Sequence, residues 1–204
     1  MVAAGALAVA AGLGLTPQGG LGPPVAGRAL AGERPALLRA VVVEPAWEAA
    51  RVVRVVDGDT YEVLTGGQLV RVRLLGVDAP EHDQAFGAQA TDSVAALLRP
   101  GGVAPLVWLR RQGTDLYGRT LGRVRVPAGP GGPARALDSL LVVRGWAWAF
   151  DPNRAVAGRA AQQLAAQRAG RGLWKCGAAA AVPPKVWRGF TATIKRRYGV
   201  GCTW

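Results

Sequence analysis

Acidic side chains recur at two predicted turns in the middle of the chain. Asp57 and Asp59 lie in the first turn. Asp78 and Glu81 lie in the second, just after a strand-like segment that carries Arg73. A hard divalent cation binds several oxygen atoms, which carboxylates on neighbouring turns can supply with a backbone carbonyl and water. The pattern therefore indicates a cation site at which the two turns converge.

Arginine residues accompany these acids. Arg73 precedes Asp78 by five residues, and Arg119 ends the segment Asp115–Arg119. A guanidinium group binds a phosphate through two hydrogen bonds and remains charged, so both arginines are candidates for holding a phosphate. Glu81 is the candidate base for activating water. Each residue alone is more often an ordinary turn or surface charge, so the hypothesis of phosphodiester hydrolysis depends on their occurring together in this order.

Short strands and three helices must position these side chains. Alternation of apolar and polar residues, with Gly-containing turns between segments, predicts five strands. The predicted strands are Arg51–Val56, Thr60–Leu64, Leu69–Leu75, Val103–Arg110 and Arg119–Val126. The predicted helices are Gln84–Leu98, Ala134–Val143 and a third from Asp151 to about Arg168. The order favours a mainly β, α+β fold with a five-stranded barrel that binds nucleic acid or sugar, and the alternative is a generic α+β sheet.

Composition restricts the class of partner and of metal site. The chain has 204 residues, enough for one domain with tails, and 25 Lys and Arg against 13 Asp and Glu give a net charge of +12. Such a charge predicts a polyanionic partner, either nucleic acid or an anionic membrane. Most of the excess lies in residues 151–204, where ten basic residues face Asp151 alone. One histidine and two cysteines exclude a multi-histidine or four-cysteine zinc site.

The two ends of the chain differ from its middle. Residues 1–49 combine an apolar run, Met1–Leu15, with a Gly/Pro-rich linker, and Ala29–Ala31 has the small-x-small pattern of a signal cleavage site. No Lys or Arg precedes the run, so a membrane anchor and a cytoplasmic Ala-rich tail remain alternatives to export. We predict a secreted or cell-envelope location, with a cytoplasmic one as the alternative. Export would permit a disulfide between Cys176 and Cys202.

The last segment, residues 176–204, is a basic and aromatic tail that follows a predicted domain at residues 50–175. Basic and aromatic residues together suit single-stranded nucleic acid, through phosphate contacts and base stacking. They also suit weak association with an anionic membrane surface, or packing of the tail on the barrel. The sequence leaves these three interpretations open.

Three segments of the domain resemble the signature blocks of the thermonuclease family, the staphylococcal nuclease type. These are Val56–Thr60, Val72–Glu81 and Asp115–Gly122, and Leu140–Ala147 with Gly172–Trp174 resemble blocks further along. The resemblance implies a five-stranded barrel of the oligonucleotide-binding (OB) type with three helices, in a monomer. It also implies calcium-dependent hydrolysis of DNA and RNA that cleaves the 5′ P–O bond and leaves 3′-phosphate ends.

The resemblance also implies a role for each matching position. The implied calcium ligands are Asp59, Asp78 and the backbone carbonyl of Ala79, with Asp57 tuning the site from nearby. The implied phosphate-binding residues are Arg73 and Arg119, the implied base is Glu81, and Asp115 and Tyr117 would line the nucleotide pocket. Leu116 departs from the pattern, since the type protein has a lysine there. The alternative function is a non-catalytic nucleic-acid-binding module, but such copies usually lose the acids or arginines that this sequence retains.

Overall fold

The first three strands form an antiparallel meander that leads into the second acidic turn. The computed structural model describes residues 46–129, 132–150 and 156–198. Strand β1 (Glu48–Asp57) pairs antiparallel with β2 (Thr60–Thr65), which pairs antiparallel with β3 (Gln68–Leu74). The turn between β2 and β3 uses Gly66 and Gly67 at positive φ, which glycine adopts without strain. The short strand β4 (Val77–Asp78) follows directly.

Two later strands close the sheet into a barrel. Strand β5 (Leu106–Thr114) pairs antiparallel with β1, and β6 (Thr120–Val126) pairs antiparallel with β5. β6 also runs parallel to β3, with Val72 opposite Thr120. The strand order β3–β2–β1–β5–β6 therefore returns to β3, which confirms the predicted five-stranded, mainly β barrel of the OB type. β5 extends further than predicted, so the loop between β5 and β6 shrinks to residues 115–119.

Two further short strands lie outside the barrel wall. Strand β7 (Arg135–Ala136) pairs with the end of β6, and β8 (Trp148–Ala149) pairs with β4. Because Arg135 and Ala136 join the sheet, the following helix begins at residue 137 rather than at the predicted residue 134.

Five α-helices occur in the three described ranges, two of them short and within the basic tail. They are α1 (Gly87–Leu98), α2 (Leu137–Arg144), α3 (Arg159–Arg168), α4 (Pro184–Arg188) and α5 (Ala192–Lys195). α1 begins three residues later than predicted, because the chain makes tight turns from Glu81 onward and Phe86 adopts a left-handed conformation. Residues 151–155, the predicted start of α3, lie outside the described residues.

Apolar side chains fill two adjoining cores. The first lies inside the barrel and under α1 and α2, with Tyr61 fully buried at its centre. The second joins Phe86, Trp148 and Trp174, and the two indole rings meet edge to face at 5.3 Å. The cores fix the barrel end at which the β1–β2 turn, β4 and the loop before α1 meet.

The terminal predictions fall mainly on residues that are not described. Met1–Ala31 and Cys202 lie outside the described ranges. Cys176 is disulfide-bonded. Among the helices of residues 46–129, 132–150 and 156–198, none is long and apolar enough to cross a membrane.

Candidate active site

The turn between β1 and β2 presents the first pair of acids. The backbone N–H of Asp59 donates a hydrogen bond to Asp57 Oδ1 (3.0 Å), and the buried Tyr61 hydroxyl donates to the Gly58 carbonyl (2.8 Å). A Cβ atom on Gly58 would lie only 2.6 Å from the Cβ of Ala79. Glycine is therefore needed here so that the turn can press against the loop that follows β4.

That close approach joins the two acidic turns. Asp59 Oδ2 accepts a hydrogen bond from the backbone N–H of Ala79 (2.7 Å), and Asp59 Oδ1 accepts one from the Thr60 hydroxyl (3.2 Å). Asp59 is 5% exposed and Asp78 is 2% exposed, so both carboxylates are buried. Buried carboxylates need hydrogen-bond donors or cations to remain ionised.

Arg73 on β3 supplies such a cation to both acids. Its Nη1 atom is ion-paired with Asp59 Oδ2, and its Nη2 atom donates to Asp78 Oδ1 (2.8 Å). One guanidinium group therefore bridges the two carboxylates that the sequence predicts as metal ligands. Arg73 reaches them because Arg73 and Thr60 are directly opposite each other in the β2–β3 ladder, next to Asp59.

Burial works against the charged forms of Asp57, Arg73 and Asp78. Burial raises the pKa of Asp78 and of Asp57 above the usual value for aspartate, although Arg73 counteracts this in both cases. Burial likewise lowers the pKa of Arg73, which the charges of Asp78 and Asp57 oppose. The site is thus a desolvated cluster in which added positive charge would favour the carboxylate forms.

The β5–β6 loop carries the second predicted arginine. Arg119 Nε donates to Asp115 Oδ2 (2.7 Å), and Asp115 Oδ1 accepts from the backbone N–H groups of Tyr117 and Arg119 (2.9 Å each). Burial alone would raise the pKa of Asp115, but these three hydrogen bonds lower it below the usual value. Asp115 thus orients Arg119 from behind the cleft wall, while the Tyr117 ring is 85% exposed at the rim.

Glu81 is held on the short loop between β4 and α1. Its backbone N–H donates to the Gln84 side-chain oxygen (3.1 Å), and the Gln84 backbone N–H donates to the Glu81 carbonyl (2.9 Å). A Cβ atom on Gly87 would lie 1.8 Å from that same carbonyl, so the loop closes tightly against the start of α1. The carboxylate itself is ion-paired with Arg188.

Arg188 was not among the predicted site residues. It extends from α4 in the basic tail, and its Nη2 atom also lies 3.7 Å from Asp78 Oδ2. In the sequence, Pro184 followed by Trp187 is typical of a short helix that packs on the domain. Nothing in the sequence indicates which loop this helix contacts, so Arg188 could not be placed in the site. Arg71, on the same face of β3 as Arg73, also lines the cleft, and it is paired with Glu62 (2.8 Å).

These side chains surround one cleft of about 540 Å³. Of the residues predicted for the site, Asp57, Asp59, Arg73, Asp78, Ala79, Glu81, Tyr117 and Arg119 line it, and Asp115 does not. Tyr117 is the one aromatic residue among the described lining residues.

The charges of the cleft suit a divalent cation. Four carboxylates and four arginines line it, but Arg71 is neutralised by Glu62 and Arg119 by Asp115, neither of which lines the cleft. The remaining two arginines face four acids, which leaves a formal charge of −2. Within the described ranges, no group of three or more Asp, Glu, His or Cys side chains is arranged as a metal cage. Asp59 and Asp78 are the buried carboxylates of the cleft that could hold a hard cation, and such a cation would keep much of its water.

Comparison with known proteins identifies the family of the chain. A family model described as staphylococcal nuclease homologue matches residues 71–176. The chain belongs to the family of staphylococcal nuclease homologues. It is 39% identical over 161 residues to Protein ParB of Escherichia coli, covering 75% of this chain and 87% of that protein.

Two other relatives of this staphylococcal nuclease homologue carry nuclease names. An uncharacterized endonuclease of Escherichia coli O157:H7 is 37% identical over 138 residues, covering 68% of this chain and 83% of the relative. A micrococcal nuclease of Shigella flexneri is 42% identical over 115 residues, covering 54% of this chain and 64% of the relative. The family match begins at Arg71 and includes every cleft residue predicted from the second and third sequence blocks.

Proposed function

We propose that this hydrolytic nuclease cleaves DNA and RNA phosphodiester bonds with calcium as its metal ion, breaking the 5′ P–O bond and leaving 3′-phosphate ends. The observation that carries the proposal is the bridge that Arg73 makes between two buried carboxylates, Asp59 and Asp78, in a cleft that also holds Glu81 and Arg119. Acids, a candidate base and two phosphate-binding arginines are the parts that phosphodiester hydrolysis requires.

Asp59, Asp78 and the backbone carbonyl of Ala79 would hold the calcium ion, with Asp57 adding negative charge from the same turn as Asp59. The bound ion would supply a Lewis acid that withdraws charge from a phosphate oxygen. The protein chain itself holds the proposed ligands rigidly in place. Gly58 permits the two turns to touch, and the Ala79 N–H group holds Asp59 in place.

Arg73 and Arg119 would bind and orient the scissile phosphate. Their guanidinium groups complement two phosphate oxygens and neutralise the charge that develops as water attacks. Arg119 is already oriented by Asp115, so little conformational freedom is lost when it binds phosphate. When phosphate binds, Arg73 must divide its hydrogen bonds between the phosphate and the two carboxylates. A cation bound to the carboxylates would favour this division, because its charge would also stabilise their ionised form.

Glu81 would accept the proton of the attacking water. Its position on a loop fixed by Gln84 and Gly87 supports a defined geometry relative to the phosphate. The exposed ring of Tyr117 at the rim would stack on a base of the substrate, and stacking on an aromatic ring tolerates every base. This accords with action on both DNA and RNA.

Digestion of supercoiled plasmid by the purified protein tests the proposal. We expect nicked and linear products with calcium, none with a chelator, and recovery when calcium is restored in excess. Labelling of the products should find 3′-phosphate and 5′-hydroxyl ends. Cleavage that persists after complete removal of metal, or products with 5′-phosphate ends, would contradict the proposed chemistry.

We further propose that the protein acts outside the cytoplasm as a monomer. The apolar start of the sequence and the disulfide-bonded Cys176 support export. Cell fractionation with mass measurement of the mature chain tests location, and size-exclusion chromatography with light scattering tests oligomeric state. A full-length protein in the cytoplasmic fraction would exclude export.

A further inference from the structure

The end of the described chain, residues 181–198, packs against the loop that carries Glu81. We call these residues the tail segment, and they lie beyond the part of the chain matched by the family model. Its anchor is Trp187, which is 2% exposed and donates its indole N–H to Asp83 Oδ1 (2.9 Å). The rings of Phe190 and Tyr198 stack at 5.1 Å in the same segment. The segment is therefore docked by a buried aromatic side chain, not by surface charge alone.

Polar contacts attach the tail segment at neighbouring positions of the loop. The Gln84 side-chain amide donates to the Val182 carbonyl while its oxygen accepts from Glu81 N–H. Lys195 Nζ donates to Asp83 Oδ2 (2.8 Å). These contacts fix the tail segment on either side of α4 without involving Arg188. The position of Arg188 in the cleft is thus set by its neighbours.

Arg188 lines the cleft beside two of its acids. It pairs with Glu81 and lies 3.7 Å from Asp78, whose other oxygen already accepts a hydrogen bond from Arg73. Its side chain is 53% exposed, whereas that of Arg73 is 16% exposed. An ion pair this exposed to water contributes little net stability, so its loss on binding a phosphate would cost little. Arg188 is therefore a solvent-exposed positive charge in the wall of the cleft, beside Glu81 and Asp78.

We propose that Arg188 is a third phosphate-binding arginine, which leaves Glu81 for a phosphate of the nucleic acid when substrate binds. The proposal rests on the proposed function, because it assumes that the cleft receives a phosphodiester. A phosphate offers a guanidinium group two charge-assisted hydrogen bonds, at least as many as Glu81 offers. The exchange also frees the Glu81 carboxylate, so binding of substrate releases the base from its ion pair.

Binding of a labelled single-stranded oligonucleotide in chelator tests this exchange without cleavage. Affinity should be measured against salt for the wild type, Arg188→Ala and Arg188→Lys. Each phosphate contact on a single strand contributes about 0.7 to the slope of log K against log salt. We expect Arg188→Ala to lose about that much slope and to bind about fivefold more weakly at low salt, with Arg188→Lys retaining most of the slope. Arg196→Ala removes an equal charge from the same segment outside the described cleft lining, and should keep the wild-type slope.

Two results would overturn the proposal. One is an Arg188→Ala slope equal to that of the wild type, which would make Arg188 a structural partner of Glu81. The other is tighter binding or faster cleavage by Arg188→Ala, which would make it an obstruction. Circular dichroism and thermal unfolding should show that Arg188→Ala remains folded, since Trp187 still anchors the segment. Failure of the wild type to cleave DNA at all would instead count against the proposed function.

Discussion

Replacing Arg73 by methionine removes the side chain that joins the Asp59 and Asp78 carboxylates, while keeping a long apolar stem. Both acids are almost fully buried, and Arg73 is itself 16% exposed. Removing one partner of a buried ion pair leaves an uncompensated charge, and such changes cost about 3 kcal/mol or more. For a protein of this size we expect a fall in melting temperature of about 6–12 °C in chelator.

Calcium should reverse much of this loss. A ligand at about 100 times its Kd stabilises a protein by about 2.7 kcal/mol. Because Arg73→Met lacks the guanidinium that competes for the two carboxylates, calcium should stabilise this variant more than the wild type at equal concentration. Urea unfolding in chelator and in a calcium series measures both effects.

Arg71→Met is the matched control. Arg71 lies on the same strand and also lines the cleft, but its partner Glu62 is outside the cleft and Arg71 is 53% exposed. We expect no resolvable change in stability, because exposed ion pairs contribute little. If Arg73→Met is as stable as Arg71→Met in chelator, Arg73 does not hold the carboxylates together. If calcium stabilises Arg73→Met no more than the wild type, the carboxylates are not the metal ligands.

Two further substitutions test the surroundings of the cleft. Gly58→Ala places a Cβ atom 2.6 Å from the Ala79 Cβ. We expect the free energy of unfolding in urea to fall by about 1–3 kcal/mol and calcium to bind more weakly. Calcium affinity equal to that of the wild type would show that the two turns need not touch. Hydrogen bonds from Lys195 and then Trp187 lower the pKa of Asp83 in the folded protein. The ionised Asp83 therefore stabilises the fold at pH values above the unfolded pKa of about 4, and this stabilisation is lost as the pH falls through the lower folded pKa. Asp83→Asn should therefore unfold with less pH dependence below about pH 4 than the wild type, as followed by thermal unfolding, and an unchanged pH profile would remove Asp83 from the docking of residues 181–198.

The barrel could be predicted from local patterns because its strands alternate and its turns contain glycine. The observed boundaries of strands and helices differ from the predicted ones where tertiary contacts determine them. Helix α1 starts late because Gly87 lies against the Glu81 carbonyl, and α2 starts late because Ala136 pairs with Arg125. The sequence shows the glycine at residue 87 but not the carbonyl that it approaches, and it does not show that residue 136 pairs with a strand.

The candidate site likewise has a part that the sequence predicts and a part that depends on tertiary contacts. Its acids and arginines follow recognisable sequence blocks, and the fold brings Asp59 and Asp78 onto one guanidinium group. Arg188 lies 107 positions after Glu81, and the sequence shows only that its segment is basic and aromatic. Which loop that segment covers depends on the Trp187–Asp83 contact, a long-range pairing with no periodic signal.

The most direct test of the central claim is the single-turnover rate of DNA cleavage by Glu81→Gln with saturating calcium. Removing a general base typically costs 10²- to 10⁴-fold in rate, so we expect a loss of about that size without weaker DNA binding. Asp92→Asn, which removes an exposed carboxylate from α1 outside the cleft, should retain cleavage close to that of the wild type. A Glu81→Gln rate within about threefold of the wild type would contradict the assignment of Glu81 as the base.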